Sequence, residues 1–366
     1  MGRLAVSRAV LLNKKNMKKS LFTAVIIFSI MLTTKSQILD PARQYQLAAI
    51  GFWNVENLYD TLNDPFKNDE DFTPEGKNAW TGERYRRKLE HLSTTIAGMA
   101  TEWNPDGLAI LGLCEVENRK VVEDLVNTPA LKPRAYRIAH IEGPDARGVD
   151  PSLIYNPRYF RCESIKTVAV RLPKDSSHKT RDILVVSGWF CGEALSVLVN
   201  HWPSRRGGEM ISRANRNAAA KLARHLADSI RLVCPDSKIL IMGDFNDDPV
   251  SPSIRRFFGT SSKWYQVAND GYFNPMEDPY KKGIGTLAWQ DSWNLFDQII
   301  ISKTCSPIDY KTWQYYHVRI YNATFLKSDF GNFKGYPFRT YSGGVYTGGY
   351  SDHFPVYLYF AKLLSH

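Results

Sequence analysis

Lys238-Ile-Leu-Ile-Met-Gly-Asp-Phe-Asn-Asp-Asp-Pro249 opens on an apolar run and closes on acids and a proline. Ile239 to Met242 have the composition of a strand covered on both faces. Gly243 frees the backbone to turn or to approach a neighbour closely. Asp244 and Asn246 stand at i and i+2, so on an extended backbone they project to one side at the strand's end. A carboxylate and an amide placed there can hold a water, a hard cation or a phosphate oxygen. Taken alone, the stretch reads equally as a strand running into an Asp-rich turn. Its meaning rests on what stands at the ends of the other strands.

The same arrangement recurs on either side. Leu47 to Phe52 reads as a strand that runs on to Asn54 and Glu56, and Leu108 to Cys114 reads as one that ends on Glu115. Pro151 to Tyr155 and Asp182 to Trp189 are further strands, and Ala194 to Asn200 ends on His201. Phe296 to Ser302 carries Asp297 near its start, and Phe354 to Phe360 follows Asp352 and His353. Between them, Arg84 to Thr101 and Ser212 to Leu232 have the spacing of amphipathic helices. Polar groups at strand ends can converge on one edge of a sheet, where α/β proteins bind ligands. There is no internal repeat and no Pro/Ser-rich hinge after about residue 46. The spacing predicts one domain over residues 37–366, with an aromatic-rich insert at about 305–350.

Composition is that of a globular chain: 43% hydrophobic and 23% charged over 366 residues, which argues against extended disorder. The formal net charge of +10 suggests an anionic partner until the N-terminus is read. Residues 1–36 hold seven Lys and Arg and no acid, so removing them leaves +3. Lys18 and Lys19 precede the apolar run Leu21 to Leu32, and polar Thr33, Thr34 and Ser36 follow it. That order predicts a secretory signal peptide within residues 1–36, and hence an exported protein, periplasmic or extracellular. The run falls short of the ~20 residues of a membrane span. Five cysteines, an odd number, leave at least one thiol unpaired, and no Cys/His spacing suggests zinc.

Phe52-Trp-Asn-Val-Glu-Asn57, Leu113-Cys-Glu-Val-Glu117, Gly148-Val-Asp150, Asn200-His-Trp-Pro203, Gly243-Asp-Phe-Asn246, Phe296-Asp-Gln298 and Ser351-Asp-His353 occur in this order. As an ordered set spanning about 46–361, they resemble the endonuclease/exonuclease/phosphatase superfamily, the deoxyribonuclease-like fold. The resemblance implies a four-layer α/β/β/α sandwich of two mixed sheets, and metal-dependent cleavage of phosphate esters at one rim. It implies Glu115 and Glu56 as metal ligands with Asp352 near the ion, His353 as base oriented by Asp297, and Asp150 as the carboxylate partner of His201. His201 would protonate the leaving oxygen or donate to a phosphoryl oxygen; Asp244 and Asn246 would position the water and the phosphate. Asn54 would hydrogen-bond a ligand carboxylate or the phosphate. Phosphodiester chemistry suits such a set, because a hard cation neutralises the phosphoryl oxygens. Mg²⁺ fits a few carboxylates and retained waters, with Mn²⁺ or Ca²⁺ as substitutes.

The substrate is not written in these motifs, because one fold serves many esters. Nucleic acid is the expected partner, acted on by a monomer with no stable protein partner. A phospholipid or sphingomyelin phosphodiesterase, or a phosphatase, is the alternative on the same scaffold, and a catalytically silent binding protein the third. Tyr272 to Trp293 reads as a hairpin beside the site. The insert's aromatics, among them Phe330, Phe333, Tyr336, Phe338, Tyr341 and Tyr346, either stack on bases or pack on themselves. Arg339, within that insert, is the cation expected to meet a substrate phosphate.

Overall fold

The computed structural model describes residues 39–173 and 179–364. The expected signal peptide lies outside them. No helix among the described residues is long and apolar enough to cross a membrane.

Two mixed sheets organise the chain from Tyr45 onward, which forms one compact unit. With strands numbered along the chain, the first sheet holds β1 (Tyr45–Leu58), β2 (Leu108–Val116), β3 (Arg137–His140), β4 (Asp150–Tyr155), β14 (Gln314–Ile320) and β17 (Val356–Leu363). Their spatial order is β14-β17-β1-β2-β4-β3. The second holds β5 (Phe160–Val168), β6 (Ile183–Phe190), β7 (Glu193–His201), β8 (Lys238–Asp244), β9 (Thr260–Ser261), β10 (Tyr272–Phe273) and β13 (Asp297–Ser302). Their order is β5-β6-β7-β8-β13-β10-β9. Two hairpins stand apart, β11 (Leu287–Trp289) with β12 (Ser292–Asn294), and β15 (Tyr341–Ser342) with β16 (Val345–Tyr346).

Each sheet is built around a long parallel pair, β1/β2 and β7/β8, and the short pair β9/β10 at the second sheet's edge is also parallel. A parallel pair needs a crossover, and a helix supplies it for both long pairs. Helix α1 (Gly82–Gly98) joins β1 to β2, and the long helix Glu209–Val233 joins β7 to β8. Thr81 caps α1, its side chain accepting from Arg84 N at 3.4 Å. A shorter helix, α2 (Arg119–Val126), follows β2, so the long crossover is α3 and the turn Glu277–Lys281 is α4.

Alternation along the strands sorts the side chains into layers. Ala48, Ile50 and Phe52 of β1, Leu240 and Met242 of β8, Val197 and Val199 of β7, and Ile299 and Ile301 of β13 share the core between the sheets. Ala49, Trp53 and Val55 turn the other way, onto Leu89, Leu92 and Ile96 of α1. Ile239 and Ile241 pack on Ala219, Ala223 and Ala227 of α3. Alanines on that face let the long helix lie close to the sheet. Gly112 does the same between the sheets, since a Cβ there would stand 2.5 Å from Met242 Sδ. The result is the four-layer α/β/β/α sandwich.

The sequence spacing located most of these elements within a few residues. It missed β3, β5 and α2, and it misread part of the aromatic insert. Gln314–Ile320 is an edge strand of the first sheet, antiparallel to β17, so only residues 321–350 leave the sandwich. All five cysteines are unpaired, with Cys114 and Cys305 buried.

Candidate active site

Strand direction explains why the polar ends meet. β1, β2, β7 and β8 all end at one rim. β13 runs antiparallel to β8 with Asp297 opposite Asp244, so its first residue lies at that rim. β17 runs antiparallel to β1 with Val356 opposite Phe52, which brings Asp352 and His353 there as well. Asn54 continues the alternation of Ile50 and Phe52 and faces the second sheet. Asp244 likewise continues Leu240 and Met242. Their side chains meet: Asn54 Nδ2 donates to Asp244 Oδ2 at 3.0 Å and reaches Glu115 Oε1 at 3.4 Å.

Glu115 breaks the alternation. Strict pleating after Leu113 and Cys114 would turn it toward the helices. Its φ of 64° and the register shift between Leu113 and Val116 redirect it into the cleft. A non-glycine residue in the left-handed region is strained, and such residues gather at functional sites. Glu56, Asn57 and Asn246 share this backbone, with φ of 51°, 53° and 51°. Glu115 Oε2 accepts from Asn57 N at 3.1 Å.

Two histidines flank Asp244 and differ in charge. His353 Nδ1 bonds Asp297 Oδ2 at 2.6 Å, and its Nε2 stands 3.9 Å from Asp244 Oδ2. Trp53 Nε1 donates to the His353 carbonyl at 2.9 Å, which anchors the pair to β1. Burial works against a charged ring, yet Asp297, Asp352 and Asp244 overcome it and hold the His353 pKa well above the ordinary range. His201 Nε2 lies 3.7 Å from both Glu115 Oε1 and Asp244 Oδ2. Burial, with Arg181 and Arg147 nearby, pushes its pKa well down. His353 therefore rests charged and His201 neutral. Burial raises Asp244 to about 6, even with Asn246 N donating to Oδ1 at 2.9 Å. Asn54, Glu115, His201, Asp244 and His353 line a cleft of about 640 Å³, whose wall also carries Arg147, Lys179, Arg181 and Arg206.

A sequence profile of the Endonuclease/Exonuclease/phosphatase family matches residues 49–362. The chain belongs to that family. Its members are phosphoric ester hydrolases. No curated protein sequence matches the chain. Solved structures do. An endonuclease/exonuclease/phosphatase family protein from Bacteroides thetaiotaomicron is 15% identical, with a TM-score of 0.53 over 88% of this chain and 98% of that one. D. rerio TDP2, complexed with single strand DNA product, is 16% identical with a TM-score of 0.52, over 86% and 98%. A mannosyl-6-phosphatase from B. thetaiotaomicron VPI-5482 is 14% identical with a TM-score of 0.50, over 87% and 100%. At these identities the likeness is one of fold.

Within the family set, one expected pairing fails. Asp150 is not the partner of His201. Its Oδ2 accepts from Gly143 N at 2.8 Å, and its Oδ1 has no partner. His201 Nδ1 likewise lacks a partner. Glu56 departs too. Its Oε2 accepts from Thr340 N at 2.6 Å and lies 3.9 Å from Lys88 Nζ. One oxygen of Glu56 is thus engaged by a backbone N–H and an ammonium. Asn246 Nδ2 is held by the Trp202 carbonyl at 3.0 Å. Arg339 pairs with Asp352, Nη2 to Oδ2 at 3.3 Å.

Divalent-metal dependence is typical of the family, and the donors present fit a hard cation. Glu115, Asp244 and Asp352 are oxygen donors beside one cleft, and Glu115 meets Asn54 Nδ2, Asn57 N and the His201 ring. Asp244, Asp297 and His353 also lie close enough to share an ion. There the Asp297–His353 hydrogen bond occupies Nδ1 and leaves Nε2 facing Asp244.

Lys88 was not singled out by the motifs. It sits on the buried stripe of α1 between Tyr85 and Leu92, and a lysine on an apolar face is the signal that marks it. Its Nζ donates to Thr340 Oγ1 and to the Tyr350 carbonyl, both at 2.6 Å. The basic wall, drawn from loops after β3, before β6 and after β7, has no sequence pattern of its own.

Proposed function

We propose that the protein is an exported, divalent-cation-dependent phosphodiesterase of the nuclease type. The observation that carries this is Asp244: a buried carboxylate shared between a charged and a neutral histidine, beside Glu115. Glu115 and Asp352 would hold the ion, Mg²⁺ by donor chemistry, which supplies charge neutralisation at the phosphoryl oxygens. Asp244 orients the attacking water and takes its proton, since Asn54 and the Asn246 N–H fix both its oxygens. This replaces the expectation that His353 is the base, because a ring held charged by three carboxylates has no free lone pair. His353 instead donates from Nε2 to a phosphoryl oxygen, with Asp297 fixing its orientation. His201, neutral and with Nε2 toward Glu115 and Asp244, acts as a hydrogen-bond donor, and as the ester P–O bond breaks the leaving oxygen takes its proton from solvent. The basic wall favours a substrate with further phosphates, as in nucleic acid, and the fold neighbour TDP2 was solved with a single strand DNA product.

The test is a panel of single- and double-stranded DNA, RNA, sphingomyelin and phosphomonoesters, with Mg²⁺, Mn²⁺ or Ca²⁺. Polynucleotide cleavage that needs the ion is expected. Glu115→Gln should abolish it, together with the rise in melting temperature that Mg²⁺ gives the native protein. Full activity in excess chelator would overturn the reading.

A further inference from the structure

Beside the catalytic cleft, the β11–β12 hairpin and the insert enclose a second hollow of about 560 Å³. Its walls are rings: Trp289 from the hairpin, and Phe330, Phe333, Tyr336 and Phe338 from the insert. Tyr336 joins the two walls, its hydroxyl donating to Asp291 Oδ1 and accepting from Asp291 N. Trp289, Phe330 and Phe333 are 66%, 57% and 56% exposed. None of the three belongs to the cores between the layers. Clustered exposed rings of this kind mark a binding surface. Tyr341 and Tyr346 of the same insert differ, since they pack with Trp80 and Tyr59 in a small core of their own.

The hollow joins the reacting groups. Arg339 and Asp352 line its inner end. Arg339 Nη2 is 3.3 Å from Asp352 Oδ2, and Asp352 Oδ1 is 3.9 Å from His353 Nε2. A group lodged among the rings is thus separated from the phosphate site by one guanidinium and one carboxylate.

We propose that this hollow is a base subsite, which takes the nucleobase of a nucleotide ester while Arg339 meets the attached phosphate. The inference rests on the phosphodiesterase reading and names its substrate class. Ring faces stack on any base, and a guanidinium binds phosphate oxygens in pairs. Asn332 and Asp291 also line the hollow and offer hydrogen bonds to a base edge, whereas an acyl chain would cover them without bonding. The basic wall of the cleft suits the next phosphate along. A duplex keeps its bases stacked within itself, so the base comes from a free nucleotide or a single strand.

The experiment is isothermal titration of the mature protein, with Mg²⁺, by AMP and by ribose 5-phosphate. AMP should bind about tenfold tighter or more, the contribution expected of one stacked base. Trp289→Ala combined with Phe330→Ala should reduce AMP to the level of ribose 5-phosphate and leave the latter unchanged. Both side chains are exposed, and a thermal melt checks that the fold is kept. A short single-stranded oligo(dA) that binds much tighter than AMP assigns the base to nucleic acid; equal binding assigns it to a free nucleotide. Equal affinity for AMP and ribose 5-phosphate overturns the proposal. So does binding to sphingomyelin vesicles that the double variant loses. Base preference in a protein that hydrolyses no ester would remove the hydrolase reading alone, and hydrolysis without base preference would remove the subsite alone.

Discussion

At the scale of single residues, buried carboxylates separate structure from chemistry. Burial raises Asp150 to about 7, and no partner meets its Oδ1. A carboxyl whose folded pKa lies above its unfolded value contributes stability that is complete below about pH 4 and is lost as the pH rises through about 7. Asp150→Asn keeps the acceptor for Gly143 N and cannot ionise. It should melt several degrees higher than the native protein at pH 8, with the gap closing as the pH falls toward 4. Activity should survive, since Asp150 does not touch His201; a loss of several hundredfold would restore the pairing that motif order suggested. Lys88 and Glu56 form the opposite case. Burial lowers the first to about 8 and raises the second to about 7, while each supports the other's charge. Removing one partner of a buried pair typically costs ~3–5 kcal/mol, because the other charge is left uncompensated. Lys88→Met should show a loss of that order in urea unfolding at pH 7. Adding Glu56→Gln should recover a good part of it, and an unaltered deficit in the double variant would rule out the ion pair as the cause.

At the scale of elements, the insert is divided by what its rings touch. Tyr341 lies 6.4 Å from Phe72 and 6.1 Å from Trp80 between ring centroids, and Arg84 sits over the Tyr346 ring at 4.2 Å. The rings of the β15–β16 hairpin therefore pack on the loop that follows β1. Tyr341→Ala should lower the melting temperature by several degrees, as loss of a packed ring does, with the ranking of substrates unchanged. Trp289→Ala should do the reverse. Rankings measured on nucleotide and base-free esters at a temperature where both variants are folded would settle the division. In sequence the two groups of aromatics look alike. Only the path of the chain turns one set inward and leaves the other in solvent.

At the scale of the whole molecule, the rim exists because two βαβ units end at the same side and two antiparallel strands, β13 and β17, begin there. Every catalytic group but Glu115 reaches it by plain alternation along a strand or a residue just outside one. The N-terminal 36 residues, with their basic start and apolar run, carry the proposal of export. The secreted or periplasmic protein should begin near Ser36 to Gln37. Mass spectrometry that finds Met1 or Met17 intact would remove that proposal.

Apolar runs of fixed period, and polar residues at their ends, marked the strands and the candidate groups Asn54, Glu115, His201, Asp244, Asp297 and His353, whereas the four layers and the shared rim followed from the family resemblance of the ordered motifs. Local sequence carries such information because strand and helix periods are local properties. It could not carry the partner of a side chain. Whether Asp150 or Asp297 meets a histidine depends on how strand ends of the two sheets approach each other: Asp297 of β13 meets His353 beside β17, while Asp150 is held by Gly143 N. Nor could it carry protonation. His201 and His353 have the same intrinsic ring, and burial, arginines and carboxylates brought from distant segments charge one and keep the other neutral. The left-handed turn that aims Glu115 inward, the Lys88 ammonium closing over Glu56, and the ring-lined hollow beside Asp352 likewise come from contacts between residues far apart in the chain, which only the tertiary structure brings together.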